Sequence, residues 1–136
     1  MAAINDSRES RHVAEYGILI AKVHHAELII IHVLPFNSQI LSLASSPRME
    51  SMRQEAKRNF DKIRLKANKI DNTLELRTEL IASPSIVGGI VDFAEKERVD
   101  LIVVGTRARS GLKKLILGSV ASGIINYAHC PVMIVK

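Results

Sequence analysis

The 136-residue sequence predicts an α/β fold, a three-layer α/β/α arrangement in which helices cover both faces of a parallel sheet. Helical and strand-like hydrophobic periods alternate along the chain in the order βαβαβαβαβ, which short right-handed crossovers turn into parallel neighbours. The strand candidates are continuous aliphatic runs, the pattern of strands buried on both faces. Aromatic residues make up only 4% and Trp is absent, so the core must be built from Val, Ile, Leu and Ala. The length fits one domain spanning residues 1–136, because the commonest domain size is roughly 100–150 residues. No repeat, low-complexity tract or Pro/Gly-rich linker divides it.

Residues 1–5 form a short apolar start. Helical spacing follows over 7–23, with Val13, Ala14, Gly17, Ile18 and Ala21 on one face and Asp6 or Ser7 available as the cap. Residues 27–33 (ELIIIHV) read as a buried strand bounded by Pro35. After an irregular connection over 36–47, a long helix is predicted from Met49, Met52, Ala56, Phe60, Ile63, Ala67 and Ile70, which recur every three or four residues. Alternation of Leu74, Leu76, Thr78 and Leu80 predicts a strand over 73–80. Ser83 and Pro84 read as a cap and a first-turn proline, opening a helix to about Arg98. The Gly88–Gly89 pair inside it weakens the helix and points to close packing. Residues 100–104 (DLIVV) form another buried strand running into Gly105. A helix over 119–128 and a last strand over 132–135, entered through Cys130 and Pro131, complete the series.

Charge is distributed unevenly. The formal net charge is +5, yet every Asp and Glu lies at or before Asp100, and the first hundred residues balance at 14 basic against 14 acidic. The whole excess sits on Arg107, Arg109, Lys113, Lys114 and Lys136, so the basic end is either a local anion site or a solvated loop. A single cysteine, Cys130, excludes an intramolecular disulfide and argues for a reducing compartment. The polar start carries no apolar signal core, and apolar runs such as 28–34 fall far short of the ~20 residues that span a bilayer. A cytoplasmic protein without membrane attachment is expected.

In parallel sheets ligands sit beyond the carboxyl ends of the strands, where the winding direction reverses. That rule singles out residues 5–7 and 105–119. The second stretch, Gly105-Thr-Arg-Ala-Arg-Ser-Gly-Leu-Lys-Lys-Leu-Ile-Leu-Gly118-Ser119, leaves a buried strand and arrives at a helix start. Gly105 allows a sharp turn and close approach of an anion to backbone amides. At Gly118 and Ser119 the helix leaves its first N–H groups unpaired at the positive end of its dipole, and the Ser119 hydroxyl adds a donor. Arg107 and Arg109 can close over phosphates. The competing reading is that these glycines only make turns. No Gly-Lys-Ser/Thr occurs, so this is not a Walker A loop, and its place excludes the dinucleotide fingerprint of a first strand.

The spacing Gly105-x2-Ala108-x9-Gly118-Ser119 resembles the Gly-x2-Gly-x9-Gly-(Ser/Thr) loop of nucleotide-binding members of the universal stress protein family. The resemblance covers essentially the whole chain. Asn5, Asp6 and Ser7 look like the family's Asp-Gly-Ser turn, and AEYGILIA (14–21), AELIIIHV (26–33), 100–105 and HCPVMIV (129–135) fall in family order. It implies a Rossmann-like, adenine nucleotide alpha-hydrolase-like fold with strand order 3-2-1-4-5. It also implies ATP or AMP as ligand, with magnesium accompanying ATP. Ile4 and Asn5 are then expected beside adenine and ribose, with Val33 at the base pocket. Val104, Gly105, Arg107 and Ala108 would line the ribose–phosphate path, while Gly118, Ser119, Val120 and Ala121 present the helix terminus to the phosphates. A homodimer is implied along the last strand, through Val132, Met133, Ile134 and Val135, whose open edge suits pairing.

Three positions depart from the family pattern. Ala108 replaces the second loop glycine; if positive φ is needed there, alanine costs on the order of 1 kcal/mol, roughly a fivefold to tenfold loss of affinity. Asn5 replaces the usual aspartate, keeping an acceptor oxygen but losing the charge, and Asp6 takes the glycine position. Only residues 1–4 precede Asn5, so the first strand is expected to be shortened at its start.

Other residues carry less chemistry. Adjacent His24 and His25 point to different faces, unlike chelating i, i+4 pairs, and His32 and His129 read as structural. Cys130 has no activating base placed beside it. The basic helix over 48–69 also carries Glu50, Glu55 and Asp61 and lacks interleaved aromatics, so nucleic acid is not the expected partner. No carboxylate near the loop is placed as a base, so hydrolysis is at most slow. The expected function is a dimeric, nucleotide-binding stress-response regulator. The alternative is a dimeric interaction module without nucleotide.

Overall fold

Burial on both faces explains why the aliphatic runs become strands. In the computed structural model, which describes residues 1–5, 10–35, 47–106 and 117–136, five of them form one sheet. They are β1 (Ala2–Ile4), β2 (Leu28–Pro35), β3 (Leu76–Ser83), β4 (Ile102–Gly105) and β5 (Val132–Val135). The order is β3-β2-β1-β4-β5 and every pairing is parallel, as expected. Among the described residues four helices join them: α1 (Ser10–His24), α2 (Pro47–Ile70), α3 (Ile86–Lys96) and α4 (Ser119–Tyr127).

Alternation along each strand divides the apolar side chains into two cores. Ala2, Ile4, Leu28, Ile30, Val103 and Val135 pack with Val13, Ala14, Ile18 and Ala21 of α1 and Phe60 and Ala67 of α2. Ala3, Ile29, Ile31, Val33, Ile102 and Val104 pack on the other face with Ile90 and Ala94 of α3 and Ala121 and Ile124 of α4. The sheet is therefore sandwiched between two helix pairs, the arrangement that the βα alternation predicts.

β1 is the centre despite its three residues. Ala2 and Ala3 face Ile30 and Ile31 on one side and Val103 and Val104 on the other, so all three residues are buried. Pairing continues through Met1, whose amino group donates to the Leu101 carbonyl at 2.8 Å and whose carbonyl accepts from Val103 N–H.

The α2 stripe folds as its spacing dictates. Met49, Ala56, Phe60 and Ala67 are buried, while Met52, Ile63 and Ile70 are partly so. Pro47 takes the first turn, where its missing N–H leaves no bond unmade. The cap expected at Ser83 lies elsewhere. β3 continues through Ser83, which pairs with Pro35, and Ser85 caps α3 with its hydroxyl accepting from Gly88 N–H at 3.0 Å. Pro84 sits between strand and cap because its fixed φ suits an extended connection.

The strand expected over 73–80 is likewise shifted toward the C-terminus. Asp71 holds Thr73 in a turn, and Leu74 still packs on the α1/α2 core, but the ladder starts only at Leu76. As an edge strand β3 is covered incompletely, which leaves Leu80 exposed although its alternation with Leu76 pointed inward. The close packing expected at the glycine pair is found at Gly89, where a Cβ would stand 2.8 Å from Ser83 Cβ and 3.2 Å from Val33 Cγ1.

Candidate functional site

Parallel pairing brings the carboxyl ends of all five strands to one edge, and the winding reverses between β1 and β4. Asn5 leaves β1 at this edge and Thr106 follows β4 there, so Asn5 and the Gly105–Thr106 end of β4 become neighbours. Thr106 N–H donates to the Val135 carbonyl at 3.0 Å, so β4 stays tied to β5 one residue past its ladder.

The candidate residues divide between the two faces. Val33, Val104 and Ala121 are buried together in the α3/α4 core, with Val120 packed against it. Ile4 points the other way, into the α1/α2 core, so its side chain is separated from theirs by the sheet. Its backbone alone stands at the edge. Gly105 and Gly118 are half-buried, and Ser119 is exposed. Arg107, Ala108 and Arg109 lie outside the described residues, as do Asp6 and Ser7.

α4 begins as the sequence requires. Gly118 is its N-cap, in ordinary extended backbone at φ −63° and ψ 153°, and it brings no side-chain oxygen to the helix end. The first intrahelical bond runs from Ser122 N–H to the Gly118 carbonyl at 2.9 Å. The amides of Ser119, Val120 and Ala121 precede that bond and have no acceptor within the helix. Among the described residues no side chain caps them. This end of the helix can therefore receive an anion through three aligned N–H groups and the positive end of the dipole.

Asn5 sits in a polar ring that sequence reasoning missed. Its backbone N–H donates to Ser10 Oγ at 2.8 Å, and the Ser10 hydroxyl donates to Asn5 Oδ1, also at 2.8 Å. The acceptor oxygen that the sequence offers to a ligand is thus engaged by the protein itself. Ser10 is buried at the start of the apolar face of α1, three residues before Val13, and that spacing is the signal that could have found it.

His32 is buried in β2 opposite Ile4. His129 Nε2 lies 3.1 Å from the Val99 carbonyl, tying the turn before β5 to the turn before β4. Burial pushes the Cys130 thiol above its ordinary range, which leaves it less ionised and less nucleophilic. Among the described residues no group of three or more His, Cys, Asp or Glu could hold a metal, and no helix is long and apolar enough to cross a membrane. Two clefts of about 220 and 190 Å³ open at the opposite, amino-terminal edge of the sheet, the first lined by Lys22, His25 and Asp71, the second by Met1, Gly17 and Leu101.

Comparison with known proteins agrees with this architecture. The profile described as "Universal stress protein family" matches residues 1–136. A universal stress protein of Methanocaldococcus jannaschii is 35% identical over 130 residues, covering 93% of this chain and 75% of that protein. The universal stress protein YxiE of Bacillus subtilis is 32% identical over 143 residues, covering 100% and 97%. A solved universal stress protein from Archaeoglobus fulgidus superimposes with a TM-score of 0.76 at 26% identity, covering 99% of this chain and 96% of that one. Two further structures share the fold, an Archaeoglobus fulgidus protein in complex with dAMP and a universal stress protein in complex with cAMP. Their TM-scores are 0.71 and 0.66, their identities 22% and 20%, and the coverages 99% of this chain and 94% and 93% of theirs.

Proposed function

This chain belongs to the universal stress protein family, and we propose that it binds an adenine nucleotide, ATP or AMP, and works as a dimeric stress-response regulator. The observation that carries the reading is the start of α4, where among the described residues no side chain caps the amides of Ser119, Val120 and Ala121. That terminus lies at the edge where an α/β sheet binds ligands. Relatives of the same fold that hold dAMP and cAMP support an adenylate as the ligand class.

In this reading the phosphates meet the α4 amides and the Ser119 hydroxyl, with Arg107, Ala108 and Arg109 along the connecting loop. The nucleoside lies toward Asn5 and Val33. Magnesium, if it accompanies ATP, would rely on phosphate oxygens and water, since no Asp or Glu follows Asp100. With no Asp or Glu in the loop or after it to serve as a base, the reading is of a binder with at most slow hydrolysis.

Titration of purified protein with ATP tests the reading. Micromolar to millimolar binding in the wild type, lost in Gly118→Val and weakened in Ser119→Ala, is the expected result. No heat of binding at millimolar ATP would sink it and leave the nucleotide-free interaction module, which Ala108 and Asn5, in place of the family's glycine and aspartate, favour.

The dimer is proposed through β5. Among the described residues only β4 pairs with it, and Met133 is exposed on it, so its outer edge offers a ladder and an apolar side chain to a second copy. Met133→Lys should convert a dimer to a monomer in sedimentation equilibrium. A wild type that is monomeric at high concentration removes this part of the reading.

A further inference from the structure

The junction between β1 and α1 contains a polar clamp. Asn5 N–H donates to Ser10 Oγ at 2.8 Å, and the Ser10 hydroxyl donates to Asn5 Oδ1 at 2.8 Å. Ser10 opens α1 and is only 9% exposed, so water competes little for its hydroxyl. A serine hydroxyl has a single proton. Because Oγ already accepts the Asn5 backbone N–H, donation of that proton to Oδ1 locks the Asn5 side chain against its own main chain. Asn5 itself is exposed and stands at the carboxyl edge, beside the reversal of winding between β1 and β4.

The Asn5 amide oxygen is therefore held by a shielded group while the residue stands at the ligand side of the sheet. We infer that Ser10 is a positioning residue for the nucleoside end of the ligand, acting through Asn5 without touching the nucleotide. This rests on the adenine-nucleotide reading above. An unclamped asparagine has to give up rotamer freedom when ligand arrives; the clamp imposes that cost during folding, before binding.

A double-mutant cycle with ATP as the probe separates this role from a general structural one. Ser10→Ala should weaken ATP binding about fivefold to tenfold, the size of one net hydrogen bond. Asn5→Ala should weaken it at least as much, and the double variant should bind no worse than Asn5→Ala alone. Ser10→Thr, which keeps the hydroxyl, should recover wild-type affinity. Where Ser10→Ala does not fold, Ser10→Cys, a weaker donor, takes its place and should give the same non-additive pattern. Losses that add, or a Ser10→Ala affinity equal to wild type, overturn the positioning role while nucleotide binding stands. A wild type that binds no ATP overturns the nucleotide reading and the positioning role with it.

Discussion

Val87 of α3 packs onto the backbone of α4 at Gly123, so closely that a methyl group on Gly123 would lie 2.8 Å from Val87 Cγ2 and 3.0 Å from Cγ1. This contact sets how near the two helices of one face approach, and so where α4 presents its first amides.

Two opposed effects decide the outcome of Gly123→Ala. Alanine gains up to about 1 kcal/mol of helix propensity over glycine. Forcing a methyl into a packed contact costs about 1–3 kcal/mol. Packing should win, so urea denaturation should show a net loss of stability. In a Val87→Ala background the obstruction is gone, and Gly123→Ala should then be neutral or stabilising. A stabilising effect in the wild-type background would show that α4 slides freely on α3.

Gly118 permits a test in which stability and binding move in opposite directions. Its φ of −63° and ψ of 153° are open to any residue, so glycine is not required by the backbone. Gly118→Ser supplies a hydroxyl that can accept from the amides of α4 and should raise stability by a few tenths of a kcal/mol. The same hydroxyl then competes with phosphate for those N–H groups, and ATP affinity should fall. Thermal melting and ATP titration of one variant measure both signs. Stronger ATP binding together with higher stability would argue that phosphate does not use this helix end.

Much of this arrangement was legible because two-sided burial leaves an unambiguous trace. The runs at 27–33 and 100–104 became β2 and β4, and the Met49-to-Ile70 stripe became α2, since each period admits one solution. β3 was misplaced by three residues at each end. On an edge strand burial is partial, and the Thr73 turn at its start depends on Asp71 rather than on apolar spacing. The α3 cap was read one step early because Ser83 and Ser85 flank Pro84 and only the pairing of Ser83 with Pro35 chooses between them. Within the site, Gly118 and Ser119 were readable as a helix start. That Ile4 faces away from Val33 is implicit in strand alternation, whereas the Asn5–Ser10 ring joins two residues five apart on different elements and has no periodic signal.

Two helices end in conformations that their residues resist. His25 after α1 has φ 50° and Arg98 after α3 has φ 52°. Each is followed by a bond back across the helix end, from Ala26 N–H to the Ala21 carbonyl and from Val99 N–H to the Ala94 carbonyl, both 2.9 Å. That closure requires a left-handed residue, where glycine is preferred. Arg98→Gly and His25→Gly should each stabilise the protein by about 1 kcal/mol in urea denaturation, because the side-chain strain disappears and the exposed position loses no packing. A loss of stability in both would show that the exposed Arg98 and His25 side chains hold contacts worth more than the strain.

Asp71 supplies the clearest pH dependence. Its carboxylate Oδ1 accepts from the Thr73 hydroxyl at 2.6 Å and from the Thr73 N–H at 2.9 Å, and these bonds hold its pKa below the ordinary aspartate value. A carboxyl group with a depressed folded pKa stabilises the protein fully above the unfolded value and loses that contribution as pH falls through the folded one. The denaturation midpoints of wild type and Asp71→Asn should therefore differ by a constant amount around neutral pH. That difference should shrink as pH drops below about 4, the usual aspartate range. Thr73→Val, which removes the hydroxyl but keeps the backbone donor, should show a smaller difference from wild type with the same direction of change. A gap that stays flat or widens toward acid would mean that the Thr73 turn does not depend on an ionised Asp71.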